Sequence, residues 1–224
     1  MGSVPLEDKV LDGNARIAAE LREKFRKHRV LVINLISSPG SGKSSLLEKA
    51  LETFPAGSHI AVLTSDIRAE NGARRLERFG YTVKQIATGG IHLDAALIGR
   101  HVADLDLDQL DLLIIENVGN SPGLSNCDLG EAAKIALLNV ADGEGKSSKY
   151  SFAKSEVMVL TKTDLLPYVP FAAAEAIANA RRVDPDTEVV NVTTLTGDGL
   201  SEFMRWLEQR RRAFQAELPE SPTS

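Results

Sequence analysis

The feature that most constrains this chain is a short loop, Ser37-Ser38-Pro39-Gly40-Ser41-Gly42-Lys43-Ser44, set between an apolar run and a helix-forming stretch. Val30 to Ile36 is almost continuously aliphatic and β-branched, which suits a strand covered on both faces. A Gly-rich turn that leaves such a strand and opens a helix aims backbone N–H groups inward. The helix adds the positive end of its dipole, and the two together hold phosphate oxygens. Gly40 and Gly42 remove side chains where the backbone must approach the phosphates. Lys43 reaches the β- and γ-phosphates, and the Ser44 hydroxyl ligates Mg²⁺. Ser38, Pro39, Ser41 and Ser45 complete the stretch that touches the nucleotide. The full pattern asks for glycine at position 37, where this chain carries Ser37, another small residue.

From this loop onward, buried runs alternate with helical patterns. Strands are expected at His59–Thr64, Tyr81–Ala87, Leu112–Ile115, Ile135–Val140, Val157–Leu160 and Glu188–Val192. Helices are expected over about Lys43–Phe54, Ala69–Phe79, Leu93–Ala103, Phe171–Arg181 and Leu200–Phe214. The alternation predicts an α/β, three-layer domain: a mostly parallel central sheet of about seven strands with helices on both faces. Ahead of it, Ile17, Leu21 and Phe25 recur every fourth residue, so residues 1–28 read as a helical extension that can pack on the main domain, 29–216. Residues 217–224, with Pro219 and Pro222, read as a disordered tail.

Composition narrows the class of partner. A net charge of -5 argues against nucleic-acid binding by bulk electrostatics. The cationic group Arg205 and Arg210 to Arg212 reads as a solvated helix end that complements the macrodipole. The single cysteine, Cys127, excludes an internal disulfide framework and fits a reducing compartment. Neither a secretory leader nor an apolar run near the roughly 18 residues of a membrane span is visible. A cytoplasmic location, with no membrane partner, is the expectation.

Two further groups refine the chemistry. Thr161-Lys162-Thr163-Asp164 follows an apolar strand, as does the Asn/Thr-Lys-x-Asp segment with which GTPases read the base. The Asp164 carboxylate can accept two hydrogen bonds from guanine, which adenine does not offer, and Lys162 can lie along the base plane. Carboxylates at strand ends beside a phosphate loop are placed to hold Mg²⁺, and Asp66 and Glu116 are the two candidates. Gly119 can bring its backbone N–H to a γ-phosphate. Spacing leaves open which acid polarises the attacking water.

Several blocks then carry a resemblance: Asn34 to Lys49, Asp66 to Asn71, Thr88-Gly89-Gly90-x-His92-Leu93-Asp94-Ala95, Ile115-Glu116-Asn117-Val118-Gly119-Asn120, Asp128-Leu129-Gly130-Glu131 and Lys162-x-Asp164-Leu165-Leu166-Pro167. In this order they resemble the hydrogenase nickel-incorporation GTPase family, HypB. The resemblance implies a SIMIBI-class P-loop fold, GTP-dependent homodimerisation, and work beside metalloenzyme-maturation proteins. It also implies a Ni²⁺ or Zn²⁺ site at the dimer interface, where a Cys precedes the His of the His-Leu-Asp-Ala block. Here Ile91 takes that Cys position and leaves His92. The family's later Cys-Pro reads Ser121-Pro122-Gly123-Leu124. Thiolate gives such sites their soft-metal affinity, and one imidazole does not replace it. Cys127 is a displaced ligand or an incidental thiol; His28, His59 and His101 show no ligand spacing.

Smaller departures follow. Gly72 stands where the family has a second acid, and Lys146, Lys149 or Lys154 occupies a loop that supplies a lysine near the nucleotide. Val192 to Gly199 stands where GTPases place a loop whose backbone touches the guanine O6, here through Thr194 and Leu195. The reading is a Mg²⁺-dependent GTPase switch in nickel-enzyme maturation. Its rivals are a GTP-gated docking module without a transition metal and an ATP-using small-molecule kinase.

Overall fold

The structure is a computed structural model that describes residues 6–38, 40–54, 57–65, 74, 76–86, 93–118, 127–142 and 154–219. Seven strands form one sheet: β1 Leu31–Ser37, β2 Ile60–Thr64, β3 Thr82–Gln85, β4 Leu112–Val118, β5 Ala133–Asn139, β6 Val157–Thr161 and β7 Glu188–Val192. Every pairing is parallel and the order is β3-β2-β4-β1-β5-β6-β7. Among the described residues the α-helices are α1 Leu6–Lys27, α2 Lys43–Glu52, α3 Ala95–Val102, α4 Ala173–Val183 and α5 Leu200–Ala216. The helix expected over Ala69–Phe79 lies mostly outside the described residues.

The pleat explains how one apolar run serves two layers. Leu31, Ile33 and Leu35 of β1 join the core under α2 and α5, with Leu46, Leu51, Trp206 and Phe214. Val30 and Val32 face the opposite layer, with Ala18, Leu21 and Phe25 of α1 and Ile98 and Val102 of α3. Further along the same face, Leu138, Met158 and Leu160 pack under Ala176 and Ala180 of α4. A strand buried on both sides has no polar face to show, hence the unbroken runs in the sequence.

Two expectations need correction. Arg210 to Arg212 lie inside α5, not in its last turn, which ends at Ala216. Carboxylates balance them instead: Arg211 and Arg212 both bond Glu208, and Arg210 meets Glu156 and Glu217. Hydrogen bonds from Arg211 and then Arg212 pull the Glu208 carboxyl down to about 2. Residues 217–219, expected in the disordered tail, are instead held against the fold. Leu218 is buried in the α5 core, and Arg26 and Arg29 of the α1 end bond the carbonyls of Glu217 and Pro219. Among the described residues, no helix is long and apolar enough to cross a membrane.

α1 is joined to the domain by polar contacts as well as by its apolar stripe. Arg22 donates to both oxygens of Asp128, at 2.6 and 2.7 Å. Gly130, at φ +82°, lets the backbone pass so close to α1 that a Cβ would stand 2.8 Å from the Ala18 carbonyl and from Leu21 Cβ. Partial burial raises the Asp128 carboxyl, but the hydrogen bonds from Arg22 and the Gly130 N–H outweigh it and hold it below the usual carboxylate range. The pair therefore favours the folded state above the unfolded carboxyl value near pH ~4, and the benefit is lost as pH falls through the lower folded value. In urea titrations the wild type is expected to be more stable than Asp128→Asn at pH 7, and the gap to narrow as pH falls below the usual carboxylate range.

Candidate functional site

The phosphate loop leaves β1 in the middle of the sheet. On one side the chain runs out to β4, β2 and β3, and on the other to β5, β6 and β7, so the loop sits where the strand order reverses. Ligands of parallel α/β sheets bind at that crevice. Gly42 caps α2 with φ 91°, a left-handed conformation that keeps the turn tight enough for the helix to start at Lys43. A Cβ on Gly42 would also come within 3.9 Å of the Thr161 side chain.

Lys43 is only 3% exposed, and its ammonium is held by Ser37 Oγ at 2.6 Å and the Ser38 carbonyl at 3.1 Å. Ser37, which stands at the expected glycine position, is therefore a working member of the loop. Its hydroxyl also accepts from Ser41 Oγ at 2.7 Å. Ser44, in the first turn of α2, donates to Glu116 Oε1 at 3.2 Å. Glu116 is 2% exposed and lies within β4, not beyond its end, because the strand continues to Val118. Ser65, at the end of β2, bonds the Glu116 carbonyl through both its N–H and its hydroxyl. An alcohol oxygen facing a buried carboxylate oxygen is a donor set that suits a hard cation such as Mg²⁺.

The other side of the loop is tied to β5 and β6. Thr161 Oγ1 donates to the Ser41 carbonyl at 2.6 Å, and Lys162 Nζ donates to the Gly40 carbonyl at 3.1 Å. Lys162 adopts φ 59°, which turns the chain out of β6 into the 3-10 helix Thr163–Tyr168. Asp164 is exposed, and its N–H meets Thr193 Oγ1 at 3.2 Å, while Thr163 and Thr193 share a hydroxyl contact at 2.8 Å. The loop expected to face the base is thus adjacent to Asp164. Its anchoring hydroxyl is Thr193, one residue before Thr194, and Leu195 stands 85% exposed beyond it.

Ser38 Oγ donates to Asp142 Oδ2 at 3.1 Å, in the 3-10 turn that ends β5. Sequence reasoning passed over Asp142, although it is an acid at a strand end, the signal that picked out Asp66 and Glu116. Ser45 lies in the first turn of α2, half-buried. Pro39, Asp66, Gly119 and His92 lie outside the described residues, as do Gly72, Ile91, Gly123, Lys146 and Lys149. Cys127 is half-buried; burial, followed by the nearby Asp94, pushes its thiol up and disfavours the thiolate a soft metal needs. His28 pairs with Asp108 and His59 with Asp111. Among the described residues, no three His, Cys, Asp or Glu side chains group as a metal site.

Comparison with known proteins agrees with this geometry. Residues 31–191 match the family described as CobW/HypB/UreG, nucleotide-binding domain. The hydrogenase maturation factor HypB of Azotobacter vinelandii is 44% identical over 209 residues, 92% of this chain and 69% of that protein. The crystal structure of the HypB maturation factor from Archaeoglobus fulgidus superposes with a TM-score of 0.82 at 28% identity, covering 89% of this chain and 99% of that one. The structure of Helicobacter pylori HypB in complex with nickel gives 0.79 at 30% identity, covering 95% and 99%. A P-loop at the switch point, a buried lysine and a buried acid at the start of α2, and this match over nearly the whole chain lead to one conclusion: the chain is a nucleotide-hydrolysing P-loop protein and belongs to the HypB family.

Proposed function

We propose that this protein is a GTP-hydrolysing switch in the maturation of a hydrogenase-type nickel enzyme, acting as a homodimer that GTP assembles and hydrolysis resets. The observation that carries the reading is Ser44 Oγ facing the buried Glu116 carboxylate at 3.2 Å beside an equally buried Lys43. The relatives support the rest, since one is a hydrogenase maturation factor and another was solved with nickel.

In this reading the triphosphate lies along the loop N–H groups between Ser38 and Ser45. Lys43 exchanges its Ser37 and Ser38 contacts for the β- and γ-phosphates. Ser44, with Glu116 or Asp66, holds Mg²⁺, which supplies charge neutralisation at the β- and γ-oxygens. Water attacks the γ-phosphorus in line with the departing GDP oxygen. One of the two acids orients it, and the Gly119 N–H meets the γ-phosphate. Asp164 accepts from the guanine edge, Lys162 lies along the base, and the Thr194-Leu195 backbone faces O6. No arginine is placed at the loop in cis among the described residues, so intrinsic turnover is slow. A lysine from 146, 149 or 154 of the second copy is the candidate cation.

The transition-metal step rests on less. With Ile91 and Gly123 at the family's cysteine positions, a second reading is favoured by the sequence itself: GTP gates docking to a maturation partner, and His92 no longer holds nickel or zinc. Light scattering with GDP and with a non-hydrolysable GTP analogue tests the switch, with the dimer expected only with the analogue. A monomer in both states refutes it. Titration of the same samples with Ni²⁺ separates the readings. Binding that His92→Ala abolishes supports delivery, and absence of binding supports the docking module.

A further inference from the structure

α1 lies ahead of residues 31–191, which match the nucleotide-binding domain, yet it touches both the start of α3 and the chain that enters β5. Asn14 spans both. Its amide donates to the Asp128 carbonyl at 2.8 Å, and its carbonyl oxygen accepts the Ala95 N–H, also at 2.8 Å, at the start of α3. Two turns later on the same stripe, Arg22 grips the Asp128 carboxylate with both hydrogen bonds. Asp128 closes the connection that leaves β4 just beyond Glu116 and enters β5 at Ala133.

The grip continues into the sheet. Glu131, 7% exposed, accepts the Leu129 N–H at 2.6 Å and the Asn34 amide at 3.2 Å. Asn34 lies in β1, opposite Ile115 of β4 and three residues before Ser37. A chain of short, directional contacts therefore runs from α1 through Asp128 and Glu131 to the strand that carries the phosphate loop. A charge-assisted contact from Arg22 Nη2 to both Asp128 oxygens, and an amide used at both its atoms, specify position far more tightly than apolar packing does.

The geometry points to α1 as a positioning element of the hydrolytic site, with Asn14 and Arg22 as its positioning residues. This rests on the GTPase reading. Both side chains act through Glu131 and Asn34 on β1, whose Leu35 stands in register with Glu116 of β4, and so on how well the attacking water and γ-phosphate are aligned. Displacements of about an ångström at such a distance cost on the order of 100-fold in rate.

The test uses the full chain, at a temperature where each variant is shown folded by its denaturation curve. Phosphate release is measured at saturating GTP, and GDP affinity by titration with a fluorescent GDP analogue. Asn14→Ala and Arg22→Ala are expected to lose roughly tenfold or more in kcat, with GDP affinity within about twofold of wild type. Asn14→Asp keeps the acceptor for Ala95 but cannot donate to Asp128, so it is expected to match Asn14→Ala. Were Asn14 merely a cap on α3, Asn14→Asp would be silent. Arg22→Lys keeps a cation that can bond the Asp128 carboxylate, on a more flexible stem, and is expected to recover part of the loss. Lower melting temperatures with unchanged kcat overturn the proposal, as does a kcat that falls in step with GDP affinity. If an alanine variant does not fold, Asn14→Asp and Arg22→Lys decide alone. Failure of the wild type to hydrolyse GTP removes the underlying reading instead, and is seen without any variant.

Discussion

Lys43→Ala is expected to reduce GTP hydrolysis by roughly 1,000-fold or more, the largest effect of any single change in this chain. The ammonium is almost wholly buried, and its two partners lie in the loop itself, Ser37 Oγ and the Ser38 carbonyl. A buried cation with preset direction needs no reorganisation when charge builds on the γ-phosphate, so its removal is felt mainly in the transition state. Its loss leaves Ser37 still paired with Ser41 Oγ, which keeps the loop shaped and the protein folded. Phosphate release under saturating GTP, with the melting temperature measured alongside, checks this. Hydrolysis within tenfold of wild type in a folded variant would falsify the assignment of the loop.

The second large effect is expected at Asp164. Asp164→Asn should weaken GTP binding by roughly 100-fold while leaving ATP binding unchanged, because a carboxylate that accepts from two donors of guanine becomes an amide with one acceptor. The substitution is close to isosteric. The position of the residue is set by its backbone, whose N–H rests on Thr193 Oγ1 at 3.2 Å. A change in affinity therefore reports on the base and not on a displaced loop. Competition of GTP and ATP against a fluorescent nucleotide measures it. Preference for ATP in the wild type would put the kinase reading in place of the switch.

Much of the fold was legible because burial on two faces leaves a strong trace. Leu112 to Ile115 and Val157 to Leu160 have no polar alternation, and each proved a fully covered strand. Glu188–Val192 matched its expected bounds, whereas β4 ran three residues further, through Glu116 and Asn117. Polar residues extend a strand when a neighbouring strand pairs with them, as β1 does here, and local composition carries no sign of that neighbour. The order of the strands was equally out of reach, since it depends on crossovers that bring β4 between β1 and β2.

The site divides in the same way. Glycines and a lysine at set spacing disclose a phosphate loop, because backbone geometry alone demands them. The second partners are not disclosed. Ser37 looked like a tolerated replacement for glycine, yet it holds the lysine; Asp142 drew no notice in the sequence, yet it takes the Ser38 hydroxyl. Thr161 and Lys162 were read for the base, while their observed bonds run to the Ser41 and Gly40 carbonyls. Each such contact spans about a hundred residues or a sharp turn, and a pattern read along the chain does not register it.

Those last two bonds have a further meaning. Because β6 supports the loop from behind through bonds that belong to the fold itself, the ordering cost of the phosphate cradle belongs to folding and not to binding. A diphosphate and a triphosphate then meet the same finished surface on that side, and neither is favoured by it. Whatever tells the two nucleotides apart must be located on the opposite bank of the loop, along β4 and β2, where Glu116 faces Ser44 and Ser65 latches onto its carbonyl. Under the proposed switch, the β6 side serves as the fixed half of the site and the β4 side as the half that responds to the γ-phosphate.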